Sequence, residues 1–363
     1  LADVLQVSFL PFSLKEHSMR SMFSRLFVNS VVCSVFAILL HGTANAGIET
    51  FGSGSNQFQI EFVTIGNPNN PDDTTGTPSQ VGSVAYTYGI AKYETSEQMI
   101  AVYNALAPNK VNSSLWGANK PVTSISWHEA ARFVNWLNTS KGYGPAYRFL
   151  ADGGADIDSN RHLSNSRWDS SDALNYDASN PMRSRQAKYV LPSYDEWYKA
   201  AYYDRDSGTY FDYPTANGSA PSITTGGTAP NTAVFSNGPY NERTSPADID
   251  NAGGLSPYGV MAMAGNVEEY EETSYDLLNN LQNQNRGLRG GWFKTGSWGG
   301  TSITDMSSST RFSFEAGHRS FSLGFRVVEL NNSPVPEPMS MVCWGGIAGL
   351  CGWLKRRKLK TSR

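Results

Sequence analysis

The sequence predicts an α+β domain with much irregular backbone. Three observations carry that expectation. Apolar and polar residues alternate at 58–66 and 84–93, as in half-buried strands. Three segments pair a helix start signal with an apolar face. Beyond residue 205 the chain is rich in Gly, Asn, Pro and Ser and has few long periodic runs.

The elements follow in chain order. Phe58 to Gly66 is the first strand and Val84 to Tyr93 the second, and the Asn-, Pro-, Asp- and Thr-rich stretch Asn67 to Val81 between them predicts a loop. The first helix runs from about Ser96 to Leu106, capped by Thr95 or Ser96, with Met99, Ile100, Tyr103 and Leu106 as its apolar positions. The second begins at Ser126, where Ser126-x-x-Glu129 forms a capping box and Ala130, Phe133, Val134 and Leu137 mark one face. The third repeats the device at Ser193-x-x-Glu196, with Trp197, Ala200 and Ala201 inside. Late strand-like pieces are Gly290-Gly291-Trp292 and Leu323 to Val328, and no internal repeat is present.

Residues 142–188 break the pattern. They are dense in Asp, Asn, Ser and Arg and lack periodicity, which predicts a polar surface insertion. Within it Asp156-x-Asp158-x-Asn160 opens like a calcium loop. Arg161 and Arg167 stand where such a loop needs Gly and Glu, so a solvated polar loop is expected instead.

Both ends predict targeting segments. Translation is expected to start at Met19 or Met22, upstream of an apolar run from Leu26 to Leu40 and the small-residue site Ala44-Asn45-Ala46. That layout predicts a signal peptide over 1–46, cleaved after Ala46. At the other end, Val335-Pro336-Glu337-Pro338 precedes the apolar run Met339 to Leu354 and the basic cluster Lys355 to Lys358. The order of these parts resembles the PEP-CTERM sorting signal of bacteria that use exosortases. The resemblance implies that 335–363 first anchors the chain as a membrane helix with its basic end cytoplasmic. It further implies processing by exosortase-type machinery and delivery to the cell surface or extracellular matrix.

Composition narrows what the body, 47–334, can do. It carries 20 basic and 29 acidic residues, against a net charge of −3 for the whole chain. A body that acidic argues against nucleic acid as a partner, because phosphate binding needs clustered Lys and Arg. Cysteine use is sharper. Cys33 lies in the predicted leader and Cys343 and Cys351 in the sorting segment, so the exported body has no thiol. It can form no disulfide and offer no thiolate nucleophile or ligand.

Seven motifs then stand in order. They are Lys92-Tyr93-Glu94-Thr95; Pro121-Val122-x-x-Ile125-Ser126-Trp127 with Trp136-Leu137-Asn138; and Leu191-Pro192-Ser193-x-x-Glu196-Trp197-x-x-Ala200-Ala201. Ser256-Pro257-Tyr258-Gly259-Val260 and Gly265-Asn266-Val267-x-Glu269-Tyr270 follow, then Leu288-Arg289-Gly290-Gly291-Trp292 and Gly324-Phe325-Arg326-Val327. Together, over about 58–330, they resemble the sulfatase-modifying-factor family, whose type member is the formylglycine-generating enzyme. The resemblance implies a C-type-lectin-related α+β fold with little regular structure, in agreement with the element reading.

The family's enzyme oxidises a sulfatase cysteine and holds copper(I) with two of its own cysteines. Copper(I) is soft and takes sulfur ligands. The matching positions here fall near Trp298 and Ile303, and residues 292–323 contain no cysteine. No copper and no formylglycine-generating activity are therefore expected. The resemblance also implies calcium, held by the Gly265 and Val267 carbonyls, the Glu269 side chain and Asn231. Ala262 stands where the family has Asn or Asp. The alternative for Glu268, Glu269, Glu271 and Glu272 is a solvated acidic face.

The body has three histidines. His128, in the first turn of a helix, is expected at the surface or as a cap; His162 falls in the insertion; His318, beside Arg319, best suits a ligand pocket. No spacing among them supports an iron site. Trp116, Trp168, Trp292 and Trp298 are candidates for groove lining in a lectin-like fold, with a core position the favoured reading for any single one. Arg289, Trp292, Trp298, Arg311, His318 and Arg326 are the expected ligand-binding set, near the family's cleft. The expected function is a surface-sorted binding module, without catalytic residues, for an extracellular glycan, peptide or matrix polymer. The competing expectation is an oxidoreductase variant acting with another metal or on another substrate.

Overall fold

The computed structural model describes residues 47–113, 116–150, 165–236, 244–281, 283–294 and 302–331. The leader, the sorting segment, the Asp156–Asn160 stretch, His162 and Trp298 lie outside the described residues. Among the described residues no helix is long and apolar enough to cross a membrane.

Two sheets and three helices position everything else. The first sheet takes β1 (Ile48–Ser53), β2 (Asn56–Ile65), β3 (Tyr88–Ala91), β4 (Tyr189–Val190) and β9 (Val328–Leu330), in the order β1-β2-β3-β9-β4, every pair antiparallel. The second takes β5 (Glu268–Ser274), β6 (Arg286–Arg289), β7 (Phe312–Phe314) and β8 (Leu323–Gly324), in the order β7-β6-β5-β8. Its β5–β8 pair is parallel and the others antiparallel. The helices are α1 (Glu97–Leu106), α2 (Trp127–Ser140) and α3 (Tyr194–Tyr202). This is the mixed α+β class expected from the sequence.

The local signals act as the sequence implies. Ser96 caps α1, its hydroxyl accepting from the Met99 N–H at 3.3 Å. Both capping boxes close: Ser126 N–H donates to Glu129 Oε2 at 2.8 Å, and Ser193 N–H to Glu196 Oε2 at 2.7 Å. Ala130, Phe133, Val134 and Leu137 of α2 are fully buried, and Phe133 meets Phe325 edge-on at 5.7 Å. Phe51 and Phe62 pack on Tyr189 to join β1, β2 and β4 into one core.

Several expectations change. The second strand is shorter, because only Tyr88–Ala91 of the 84–93 stretch pairs. Gly290 and Gly291 do not extend β6; they turn at φ 99° and 69°, a region glycine enters without strain. The described parts of the 142–188 stretch, 142–150 and 165–188, are not a surface appendage. Tyr147, Trp168, Met182 and Arg183 are buried, and Arg183 is tied to two glutamates of the core. His128 is neither a surface nor a capping residue: it is 2% exposed, with its ring edge-on to Trp127.

Candidate functional site

Strand β5 reads Glu-Glu-Tyr-Glu-Glu-Thr-Ser, and every residue in it is buried. A central strand covered on both faces is ordinarily an apolar run. Here Glu269, Glu271 and Glu272 are admitted because arginines from distant segments meet them, which rules against the alternative of a solvated acidic face. Glu269 accepts from Arg326 Nε at 2.6 Å and Nη2 at 2.5 Å, and from Trp197 Nε1 at 2.7 Å. Glu271 accepts from Arg289 Nε at 2.7 Å and Arg311 Nε at 2.8 Å, one guanidinium to each oxygen. Glu272 accepts from Arg183 Nε, Tyr147 Oη and Asn180 Nδ2. The same Arg183 grips Glu196 through Nη1 and Nη2 at 2.9 and 2.8 Å. Burial opposes ionisation of Glu196, and the Arg183 charge overrides it, holding that carboxyl below its ordinary range.

This arrangement relocates most of the expected ligand-binding set. Arg289, Arg311 and Arg326 are 1%, 6% and 0% exposed, and their remaining donors go to backbone carbonyls such as Thr310, Tyr275, Ala91 and Met261. They brace the second sheet and do not line an open cleft. Trp292 is half-buried against Phe293 and Phe321. His318 is exposed and stacks on Phe314 at 4.3 Å, apart from the arginines' contacts.

The metal expectations divide in the same way. Both Glu269 oxygens are already held by Arg326 and Trp197, so a guanidinium supplies the positive charge at the carboxylate where calcium was expected. Beside it Glu94, held by Asn266 Nδ2 at 2.6 Å, is pushed well above its ordinary range by burial and by the Glu269 charge. Asn231 Oδ1 is buried without a hydrogen-bond partner, while the Gly265 and Val267 backbones lie in a tight turn beside β5. Among the described residues no cluster of His, Cys, Asp or Glu side chains has a metal-holding arrangement. Ile303, at one of the positions where the resemblance implies a copper cysteine, packs against the cluster of Ala233, Phe235, Ala264 and Met306. Among the described residues Ile303 offers no ligand atom for copper(I), and both Glu269 oxygens already have donors.

The open surface lies elsewhere. A cavity of about 400 Å³ is walled by Tyr86, Asn180, Arg183, Tyr194, Asp195, Thr273, Leu277 and Leu278. A second cavity, of about 250 Å³, shares Tyr86, Ser179, Asn180 and Arg183 with it. The two make a continuous groove whose donors are fixed from behind. Asn180 is held by Glu272, and Tyr86 Oη donates to Glu196 at 2.7 Å. Asp195 accepts the Gly82 N–H at 2.6 Å, and burial pushes its carboxyl up to about 7. Leu278 stands 64% exposed at the rim. Asn180, Arg183 and Asp195 were not among the residues expected from the sequence. The one local signal was the position of Asp195 in the first turn of α3, where a carboxylate favours the helix N-terminus.

Comparisons with known proteins follow from this architecture. Residues 78–331 match the family model of the sulfatase-modifying factor enzyme 1-like domain. No curated protein matches the chain. Among solved structures, variable protein 1 of Treponema denticola is similar at 18% identity and TM-score 0.50, covering 78% of this chain and 98% of its own. CarF is similar at 18% identity and TM-score 0.46, covering 74% of this chain and 98% of its own. PvdO from Pseudomonas aeruginosa is similar at 15% identity and TM-score 0.44, with coverage of 78% and 98%.

Proposed function

The chain belongs to the sulfatase-modifying factor enzyme 1-like family, and from that premise we propose that it is an exported, surface-sorted binding module of the family, without the formylglycine-generating reaction. One observation carries this reading: the sequence between the predicted leader and the sorting segment contains no cysteine. A copper(I) oxidase of this family needs two thiolates, and the other soft sulfur, the neutral thioether of methionine, has no thiol to take their place in the reaction. The consumption of Arg289, Arg311 and Arg326 in core ion pairs supports the same reading, because these groups have no free donor edge for a substrate.

The groove lined by Asn180 and Asp195, with the ion-paired Arg183 bracing its wall, is the binding surface in this proposal. Amide, hydroxyl and carboxyl groups on a preorganised wall, beside exposed leucines, suit a segment of an extracellular glycan, peptide or matrix polymer. The signal-peptide pattern at 1–46 and the Pro-Glu-Pro segment at 336–338 support surface delivery.

The test is direct. The purified full chain, loaded with copper(I) in air, is given a sulfatase-motif peptide, and the peptide cysteine is followed by mass spectrometry. No aldehyde is expected. Conversion of the cysteine to formylglycine would overturn the proposal and favour the oxidoreductase reading.

A further inference from the structure

Of the two arginines of β6, Arg286 is the one whose charge no carboxylate pairs. It is 0% exposed, yet only Nη1 has acceptors, the Glu272 carbonyl and Asn279 Oδ1, each at 2.7 Å. Its Nε and Nη2 are buried without a hydrogen-bond partner. The plane of the guanidinium lies over the Trp127 ring, 4.1 Å from its centroid. A buried cation with two empty donors is costly unless something anionic meets them.

The same molecule shows what that edge takes. Arg319 grips Glu129 through Nε and Nη2, at 2.8 and 3.0 Å, one to each carboxylate oxygen. Arg326 grips Glu269 through the same two atoms. The two parallel N–H groups match the spacing of two oxygens on one anionic group, and in both of these forks that group is a planar carboxylate. Among the described residues no side chain meets the identical edge at Arg286.

The surroundings continue the pattern. Of the buried side-chain atoms without partners, His128 Nδ1 and Asn165 Nδ2 are the next two. His128 is adjacent to Trp127 on α2, and its Nε2 lies 3.2 Å from Asn165 Oδ1. Asn165 is joined in turn to the β6 approach, since its Oδ1 accepts the Asn283 N–H at 3.2 Å. Burial pushes the His128 imidazole down to about 4, with the Arg286 charge adding to the effect, so the ring is neutral at pH 7. Arg286 and Asn165 thus keep unused buried donors on either side of the Trp127–His128 pair, whereas the neutral His128, donating through Nε2 to Asn165 Oδ1, leaves Nδ1 as an acceptor.

We propose that the Nε–Nη2 edge of Arg286 is a binding site for a small carboxylate, with Asn165 Nδ2 as the other unused buried donor of the region. The site lies behind the groove, separated from it by Asn279, which lines the groove and binds Arg286 Nη1. The complete burial of Arg286 and Asn165 restricts the ligand to one of a few heavy atoms, and its carboxylate balances the charge of Arg286.

The probe is formate, titrated against the purified full chain at constant ionic strength with chloride as the balancing anion. Thermal unfolding is followed, with sulfate and phosphate in parallel arms. Formate is expected to give a saturable rise in Tm of at least about 2 °C. Chloride should give none, and sulfate and phosphate only a non-saturating rise. Arg286→Lys, which keeps the charge and loses the fork, should lose the saturable component. The wild-type titration decides the matter even if a variant does not fold. Absence of a saturable formate effect, or equal saturation by sulfate or phosphate, overturns the proposal. So does a formate-soaked crystal with only water at the Arg286 edge.

Discussion

Glu271 and Arg289 form an ion pair in which neither side chain has any exposed surface, with Nε 2.7 Å from Oε1. The second oxygen of Glu271 holds Arg311, also inside the sheet. One buried anion therefore serves two cations, and the positive excess is spread over carbonyls of Thr310, Tyr275 and Ser274. Removing the carboxylate leaves two guanidinium groups buried around nothing. Glu271→Gln is expected to cost about 3–5 kcal/mol, the range for breaking a buried pair from one side. Urea unfolding measures it: the midpoint should fall with the slope unchanged. A change under about 0.5 kcal/mol would show that the arginines find equivalent acceptors without Glu271.

Gly287 makes that pairing possible. It lies on β6 opposite Ser313 of β7, and a Cβ placed there would run into Glu271 Oε2 and Arg311 Nη2. Those atoms cannot swing aside, because each is held in the buried ion pair. Gly287→Ala should therefore destabilise by about 1–3 kcal/mol through overpacking, although alanine suits a strand no worse than glycine. The control is Gly54→Ala, in the β1–β2 turn, where nothing lies within 4 Å of the new carbon and only its φ of 58° opposes the change. Urea midpoints of the two variants should differ, with Gly287→Ala the less stable. The reverse order would mean that the Arg311 side of the lattice can relax.

These two residues also show where the sequence was legible. The capping boxes at Ser126 and Ser193 were readable because cap and partner are three residues apart, so chain spacing alone brings them together. Strand β5 was not. Four glutamates in five residues have the composition of a solvent face, and only long-range partners reverse that reading. Arg289 is 18 residues away from its glutamate, Arg311 is 40, Arg326 is 57 and Arg183 is 89. No local pattern encodes such pairing. For the same reason the arginines looked like ligand-binding groups near a cleft, and Arg183 looked like part of a loose insertion. Strand β1 escaped notice for a different reason: it is an edge strand in which only Phe51 is fully buried, so it shows almost no alternation.

Glu268 is the member of the strand that has no arginine, and its behaviour with pH should differ from that of its neighbours. Burial, and then the charge of Asp305, push its carboxyl from the ordinary 4.5 up to about 8. Between those two values the folded chain keeps a proton that the unfolded chain releases. Stability at this residue is therefore fully present below about pH 4.5, declines as pH rises, and is lost above about pH 8. Glu268→Gln keeps the shape and cannot ionise, so it removes the decline. At pH 5 the variant and the wild type should unfold at similar urea concentrations. At pH 9 the variant should be the more stable by at least about 1.4 kcal/mol, the equivalent of a single pKa unit. Asp305 is itself pushed up by burial, and Glu268→Gln relieves the repulsion between the two groups in the same direction. If instead the advantage of the variant at pH 9 were no larger than at pH 5, the Glu268 carboxylate would have to be ionised and solvated within the fold, and the burial of β5 at its first residue would be wrong.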